Sequence, residues 1–305
     1  MAVFIARRLI QAVPVLLGVT LVVFLLVRLT GDPVSLMVPQ DATLEQMEAL
    51  REYLGLRKPL PEQYLIFLGN LLRGDLGFSM QHNQPNAKLI LERLPATVEL
   101  ALAAMAIAIA VAIPIGIFSA LKHYTLWDNL ATVFALLGRS MPTFWLGVLL
   151  ILVFAVNFRL VPPSGRGEPI QLILPAVTLS GVLMATLMRL TRSSLLEELN
   201  QDYVRTAWAK GLPGRVVVLQ HALRNALIPI ITVLGLQFGA LLVGAVITET
   251  IFAWPGLGRL TVQAIYNRDL SLVQASVLCF AIVFIICNLT VDLLYAIVDP
   301  RIRRQ

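Results

Sequence analysis

The side chains most often used for metal binding and redox chemistry are few and widely spaced in this sequence. Cys279 and Cys287 are eight residues apart within one apolar segment. That is about 12 Å along a helix, whereas the Cα atoms of a disulfide lie within about 7 Å of each other. We therefore expect both to be small apolar packing residues. His82, His123 and His221 belong to no HExxH motif or Cys/His cluster, so the sequence predicts no metal site.

The sequence also lacks the residues needed for nucleotide binding and for hydrolysis. The sequence contains no GxxxxGKS or GxxxxGKT phosphate loop, and PGLGRL, which ends at Leu260, lacks the spacing and the strand-to-helix context of a nucleotide fingerprint. An intramembrane hydrolase requires a nucleophile with a base, or paired aspartates, and Asp292 is the only candidate at membrane depth. We therefore predict that the chain is not an enzyme and holds no cofactor.

The composition is that of a polytopic membrane protein. Of the 305 residues, 58% are hydrophobic and 14% are charged, whereas soluble domains have roughly half and a quarter. Eighteen acidic and 24 basic residues cannot cover the surface of a soluble fold of this size, so apolar surface must face lipid. The net charge of +6 is not gathered into one basic run. It therefore indicates membrane orientation, and no nucleic-acid partner is expected.

Six stretches are long enough to cross a bilayer, which takes about 20 apolar residues in a helix. Five contain no formal charge and the third contains only Arg139. We expect the third to be broken at the run that ends in Pro142, with its spanning part near residues 143–158. No small-residue cleavage site follows the first stretch, so it is predicted to be an uncleaved span. The stretches are 9–27, 100–121, 130–158, 171–188, 226–248 and 270–291.

The orientation follows from the basic residues in the short connections. With the N-terminus inside, the two short outer connections hold four basic residues and the inner segments hold twelve. We therefore predict six spans with both termini in the cytoplasm. The inner residues are Arg7, Arg8, Lys122, Arg189, Arg192, Arg205, Lys210, Arg215, Arg224, Arg301, Arg303 and Arg304, and the outer ones are Arg159, Arg166, Arg259 and Arg268.

The outer connection between the first two stretches, residues 29–95, has the pattern of a small helical subdomain. Thr43 begins a capping-box sequence, and apolar residues then recur at helical spacing until Gly55. A second helix is predicted with Pro61 in its first turn and its end at Gly74. A third is predicted from residue 86 or 87 to residue 94, ended by Pro95. This subdomain either packs on the spans as a cap or docks a soluble partner.

The inner connection, residues 189–225, combines both signs of charge with an aliphatic and aromatic face. Residues 193–211 predict one amphipathic helix that ends at Gly211, and residues 216–227 predict a second that leads into the fifth span. A helix lying on lipid headgroups is expected to carry more bases and fewer acids, so a protein partner explains the charges better. The predicted dry side of the first helix is Leu195, Leu196, Leu199, Tyr203, Ala207 and Trp208.

Polar or small residues in and beside the spans are candidates for lining a translocation path, because polar groups are expensive in a membrane. Gln237 is the strongest, and Gly235 with Gly239 forms a GxxxG pattern that most often serves packing. The alternative role of each polar group is a hydrogen bond between helices. The candidates are Arg139, Met141, Gln237, Gly239, Glu249 and Asn288.

The inner connection resembles the cytoplasmic coupling loop of bacterial ATP-binding-cassette (ABC) importer permeases, in the subfamily that moves dipeptides, oligopeptides, nickel and glutathione. The resemblance extends over essentially the whole chain, in order. It rests on RLIQAVPVLLGVTLVVFLLVRLTGDP, LGLRKPLPEQYLIFLGNLLRGDLGFSM, DYVRTAWAKG, HALRNALIPIITVLGLQFG, FAWPGLGRL and VDLLYAIVDPRIR.

The loop departs from the general importer pattern of Glu-Ala-Ala followed three residues later by Gly. Counting back from Gly211 places Arg205, Thr206 and Ala207 on the first three positions, so only the alanine and the glycine match. Because position 205 is an arginine, the role of the glutamate in the general pattern cannot be assigned to a residue of this chain. The residues that the resemblance assigns to coupling with an ATPase are Tyr203, Arg205, Thr206, Ala207, Trp208, Lys210 and Gly211.

The resemblance implies an all-α bacterial inner-membrane permease that works in an assembly. Its partners would be a second homologous permease subunit, two cytoplasmic ATP-binding subunits that hold ATP and magnesium, a periplasmic or lipid-anchored solute-binding protein, and membrane lipid. The implied division is residues 1–29 as tail and first span, 30–96 as a periplasmic insertion, and 97–305 as the core with the coupling loop 189–225.

The solute and the energy source have alternatives. Short peptides are the first expectation for the solute, with nickel chelates or glutathione next. A secondary transporter is the rival class, and it would bury acids or histidines for proton coupling and often show an inverted repeat. The sequence shows no convincing internal repeat, which favours the importer permease.

Overall fold

The computed structural model of the chain describes residues 2–29, 43–53 and 57–298, and within these ranges the side chains of residues 2–6, 9, 29, 46, 50, 53 and 292–298 lie outside the described part. The fold is all-α, as predicted, apart from one two-stranded antiparallel hairpin in these ranges. Strands β1 (Phe78–Ser79) and β2 (Gln84–Pro85) pair with Phe78 opposite Pro85. The helices are α1 (Ala2–Leu29), α2 (Leu44–Tyr53), α3 (Leu60–Leu72), α4 (Asn86–Leu121), α5 (Leu126–Ser140), α6 (Thr143–Leu150), α7 (Ile173–Leu199), α8 (Asp202–Ala209), α9 (Leu223–Ile251), α10 (Leu257–Tyr266) and α11 (Leu270–Val298).

Four short helical pieces extend the longer helices. A π-helical segment, Ile151–Asn157, continues α6, and a 3-10 turn, Pro169–Leu172, leads into α7. A helical turn, Gly214–Val216, and a π-helical segment, Val217–Ala222, lead into α9. The fifth span is therefore helical from Gly214 to Ile251.

The number of candidate crossings agrees with the prediction. Five helical stretches in the described residues are long and apolar enough to span a membrane, and the bent pair α5 and α6 gives a sixth when it is counted as one broken span. The two parts of that pair meet at 105°, because Pro142 follows Met141, whose backbone is extended. The predicted break is therefore confirmed. The five stretches are Ile10–Arg28, Asn86–Leu121, Pro169–Leu199, Gly214–Ile251 and Leu270–Val291.

Small residues let the central helices approach closely. Ala101, Ala104, Ala108 and Ala112 of α4 are all fully buried in the core that α4 forms with α7 and α9. A Cβ atom on Gly116 would lie 2.7 Å from the Cβ of Thr191, so a larger residue there would push α4 away from α7. This is the small-residue packing expected where lipid provides no hydrophobic drive between helices.

The prediction that a helix ends at Pro95 is wrong. The helix that begins at Asn86 runs through Pro95 and through Pro114 as α4, so the expected boundary at residue 96 falls inside one continuous helix. Ile90 and Ala96 are buried on either side of the proline, and this packing offsets the backbone hydrogen bond that proline cannot make. Proline is tolerated in this way in membrane helices.

The two earlier helices of the outer connection lie where the sequence predicts. Helix α2 begins directly after Thr43, and α3 carries Pro61 in its first turn. Helix α3 packs on α1, where the ring centroids of Phe24 and Tyr64 are 5.5 Å apart and the hydroxyls of Thr20 and Tyr64 are 2.9 Å apart. This part of the connection is therefore attached to the first span.

Helix α10 was not predicted. It follows Pro255 and Gly256 and buries Leu257, Leu260 and Ala264 against the start of α4 and α11. The spacing of these three apolar residues, directly after a Pro-Gly pair, was the available signal.

Candidate functional site: the connection between α7 and α9

Residues 193–211 belong to two helices, whereas one was predicted. Helix α7 ends at Leu199, and α8 begins at Asp202 after Gln201, whose backbone is extended at φ −74° and ψ 150°. The Asn200 side chain donates to the carbonyl of Leu196 at 2.9 Å, which satisfies a terminal carbonyl of α7. The expected continuous helix over residues 193–211 is therefore corrected to a helix, a turn and a shorter helix.

Helix α8 is anchored by one narrow apolar side. Val204 is fully buried and Ala207 nearly so, in a cluster with Leu195 of α7 and Val217 and Ala222 of the segment before α9. The predicted dry side is right for Ala207 and wrong for Tyr203 and Trp208, whose exposed fractions are 38% and 51%. The turn at Asn200 rotates α8 relative to α7, so Val204 takes the buried position.

The outer face of α8 presents most of the predicted coupling residues. Tyr203, Arg205, Thr206, Trp208, Lys210 and Gly211 are all exposed. The guanidinium of Arg205 lies 3.6 Å from the carboxylate of Asp202, and both side chains are at least three-quarters exposed. Such a pair contributes little to stability. The face is therefore a mixed-charge surface with two half-exposed aromatic rings.

The end of α8 depends on a glycine. Gly211 has φ +74°, a left-handed conformation that glycine adopts without strain. Its amide donates to the carbonyl of Trp208 at 2.9 Å. The ring of Trp208 lies against Gly214, where a Cβ atom would be 3.1 Å from Cη2. The predicted helix end at Gly211 is thus confirmed. The chain then reverses direction toward α9.

Tyr203 connects α8 to α7. Its hydroxyl donates to Glu198 of α7. Burial, and then the contact with Glu198, raise the pKa of the Tyr203 phenol above its usual value, while Asn225 opposes the shift.

A buried ion pair that sequence reasoning missed lies at the ends of α4, α5 and α7. Arg192 donates to both carboxylate oxygens of Asp128, from Nε at 2.6 Å and from Nη2 at 2.8 Å. Ser119 Oγ adds a 2.6 Å bond and the amide of Tyr124 a 3.1 Å bond. Two charges 64 residues apart carry no sequence signal of pairing. The pair fixes α5 to the helix that continues into the connection.

The six path candidates differ in how far they are buried. Arg139 is exposed at the end of α5, and Met141 is half-buried at the break beside it. Gln237 of α9 and Asn288 of α11 are also half-buried. Gly239 is buried under Phe284, whose Cδ2 lies 2.5 Å from the position of an added Cβ. A side chain larger than that of glycine at position 239 would therefore displace Phe284.

The side chain of Glu249, another of the path candidates, is fully buried. Its carboxylate accepts from Thr97 Oγ1 at 2.6 Å and from the amide of Arg259 at 2.9 Å. Arg259 is the third residue of α10, and Gly256 at the N-cap has no side chain to offer. Glu249 therefore caps α10 from the preceding span.

Metal ligands do not gather in the described ranges. No group of three or more His, Cys, Asp or Glu side chains is placed to hold a metal ion among residues 2–29, 43–53 and 57–298. Cys279 and Cys287 are free thiols there.

The chain matches two family models that together cover most of its length. Residues 112–304 match the binding-protein-dependent transport system inner membrane component, and residues 1–101 match the N-terminal model of such membrane components. The dipeptide transport system permease protein DppB of Escherichia coli K12 is 42% identical over 99% of both chains. The di/tripeptide permease protein of Pseudomonas aeruginosa is 44% identical over 99% of both. The glutathione permease protein GsiC of Pectobacterium atrosepticum is 43% identical over 97% of both.

The fold also resembles a solved transporter. An inward-facing structure of the MetNI methionine ABC transporter matches 69% of this chain and 96% of its own chain, with a TM-score of 0.60 and 16% identity. At this identity the match concerns the fold alone, and it supports the arrangement of spans described above. The sequence matches extend along nearly the whole chain at more than 40% identity. The chain therefore belongs to the family of binding-protein-dependent transport system inner membrane components.

Proposed function

We propose that the chain is the permease subunit of an ATP-driven importer that moves short peptides across the bacterial inner membrane by alternating access. The observation that carries this proposal is the 42–44% identity over 99% of the chain to permeases named for dipeptides and di/tripeptides. The exposed mixed-charge face of α8 supports it, because a transport subunit without an ATPase motif needs a surface on which another protein can act.

The proposed assembly contains four kinds of partner. Two cytoplasmic ATP-binding subunits hold ATP and magnesium, and one receives α8 in a surface cleft. A second homologous permease completes the path, and a periplasmic or lipid-anchored solute-binding protein delivers the solute. Membrane lipid surrounds the spans. In this proposal the coupling surface is Tyr203, Arg205, Thr206, Ala207, Trp208, Lys210 and Gly211, with Ala207 acting as the buried anchor.

Both termini are proposed to be cytoplasmic. The support is the excess of basic residues on the side that holds α8, twelve against four in the short outer connections. Residues 1–29, 30–96 and 97–305 remain the proposed division, with the coupling loop at 189–225. The insertion and α4 share one helix across residue 96, so movement of α4 would be felt in the insertion.

The proposed path uses the candidates that are not sealed by packing. Arg139 and Met141 lie at the 105° break in the third span, where half-helices can change angle without unfolding. Gln237 and Asn288 retain exposed surface on α9 and α11. A peptide path must be unselective, so backbone and small side chains carry more of it than a fixed ligand set, and the binding protein selects the solute.

The test is uptake by the full assembly in proteoliposomes. The expected result is accumulation of labelled dipeptide that requires ATP, the ATP-binding subunits and the binding protein. Uptake by this chain alone, driven by an ion gradient with no ATPase present, would instead indicate a secondary transporter.

Glutathione is the second candidate solute. The permease protein GsiC of Pectobacterium atrosepticum matches at 43% identity, close to the dipeptide permeases. A competition assay distinguishes dipeptide from glutathione as the solute. Excess unlabelled glutathione that abolishes dipeptide uptake, while excess dipeptide fails to block glutathione uptake, would favour a glutathione importer.

A further inference from the structure

A small polar pocket opens between the first turns of α4 and α10, at the opposite end of the spans from α8. Its volume is about 140 Å³. Three of its lining residues carry guanidinium or carboxamide groups, namely Arg93, Arg259 and Gln263, and the rest of the wall is Pro255, Gly256 and Leu260.

The fold of the two helices directs these side chains toward each other. Leu89 and Ile90 of α4 are buried against Leu257, Leu260 and Ala264 of α10. Arg93 follows them by three and four residues, so it lies on the same face of α4. Arg259 and Gln263 are four residues apart and share a face of α10. The apolar cluster thus sets the spacing of the two arginines.

Neither guanidinium has a carboxylate partner in the part of the chain that the structure describes. Arg259 donates from Nη1 to the carbonyl of Ala253 at 2.6 Å, which leaves its other N–H groups available. Two acids, on α9 and α4, have other partners. Glu249 is held by Thr97 and the amides of α10, and Glu99 is paired with Arg166. The residues that line the pocket therefore supply two positive charges and a carboxamide, and none of them carries a carboxylate.

We propose that Arg93, Arg259 and Gln263 form a binding pocket for a carboxylate. Guanidinium groups bind carboxylates through paired N–H donors, and a carboxamide adds a further donor. The pocket lies on the proposed periplasmic side, so this inference rests on the proposed function for the identity of the anion. The C-terminus of a peptide solute and an acidic side chain of the solute-binding protein share the required chemistry.

The pocket can be tested without transport, using N-acetyl-dialanine and its C-terminal amide as probes. Saturation-transfer NMR on the full chain in lipid nanodiscs is expected to detect the acid and to give at least a threefold weaker signal for the amide. In Arg93→Gln the signal of the acid should fall at least threefold, whereas Arg93→Lys should retain part of it. Arg268→Gln is the matched control, because Arg268 is an exposed arginine just beyond the other end of α10.

Equal signals for acid and amide, or an unchanged acid signal in Arg93→Gln, would overturn the proposal. Arg93→Gln is preferred to a change at Arg259, whose side chain also supports the turn before α10.

Measurements on the full assembly distinguish the two sources of the carboxylate. If Arg93→Gln raises the KM for dipeptide uptake at least threefold while the affinity of the binding protein for the assembly is unchanged, the solute supplies the carboxylate. If the affinity of the binding protein for the assembly falls at least threefold, the binding protein supplies the carboxylate. If neither changes, the pocket has no such role and the proposal fails. If the wild-type assembly imports no peptide, the proposed function fails, while the probe measurement still decides the pocket.

Discussion

Thr97 and Glu249 are 152 residues apart in the chain, yet Thr97 Oγ1 donates to Glu249 Oε1 at 2.6 Å. Thr97 Oγ1 in turn accepts from the amide of Leu257 at 2.8 Å, and Glu249 accepts from the amide of Arg259 at 2.9 Å. The first amides of α10 are therefore capped by side chains of α4 and α9. Nearby, Trp254 Nε1 donates to the carbonyl of Ala96 at 2.8 Å, so the two spans and α10 meet at one polar junction.

Replacing Glu249 with Leu should destabilise the protein. The change leaves the hydroxyl of Thr97 and the amide of Arg259 buried without an acceptor, and each such group costs about 1–3 kcal/mol. The measurement is the apparent Tm of the purified protein in detergent. Glu249→Gln keeps one acceptor oxygen and should lose less. Equal losses in the two variants would contradict the capping role.

Breaking the pair of Asp128 and Arg192 should also lower the apparent Tm. Removing one partner of a buried ion pair lowers the free energy of unfolding by about 3–5 kcal/mol. We expect a loss near the lower value, because the side chain of Arg192 is 27% exposed. Asp128→Asn and Arg192→Gln should each destabilise. The double variant should cost less than the sum of the two, since neither charge is then left unpaired. Additive losses would show that the two side chains do not act as a pair.

Replacing Gly211 with Val should loosen the end of α8 and separate ATP turnover from uptake in the assembly. A β-branched residue at φ +74° carries strain of roughly 1–3 kcal/mol. We expect ATP hydrolysis to persist while dipeptide uptake per ATP falls at least fivefold. Gly211→Asn is the control, because Asn tolerates this conformation. Unchanged uptake per ATP in Gly211→Val would remove Gly211 from the coupling surface.

Reversing the charge at Arg205 should change coupling and leave stability almost untouched. Its side chain is 75% exposed, and exposed substitutions of this kind usually stay within about 0.5 kcal/mol. Arg205→Glu should reduce uptake per ATP several-fold with an unchanged apparent Tm. Arg215→Glu is the matched variant on the same connection, outside α8, and should have a smaller effect. A similar loss in both variants would indicate a general effect of charge rather than contact at α8.

Some features were available from local sequence patterns. The apolar stretches gave the spans, because the length of a helix across lipid is fixed by the bilayer. The break before Pro142 and the helix end at Gly211 were also predicted, since both depend on the backbone of one or two residues. Pro95 misled the same reasoning, because burial of Ile90 and Ala96 on either side keeps α4 continuous.

The features of the candidate site likewise fall into those that the sequence predicted and those that required the structure. The sequence determined by itself that the chain spans the membrane six times and that a mixed-charge connection follows α7, because composition and helical spacing are local properties. Only the tertiary structure decided that Val204 is the anchor of α8 and that Tyr203 and Trp208 are half-exposed. It also decided the partners of Asp128 and Glu249, because a hydrogen bond between residues 64 or 152 positions apart depends on how the helices pack, which no local pattern encodes.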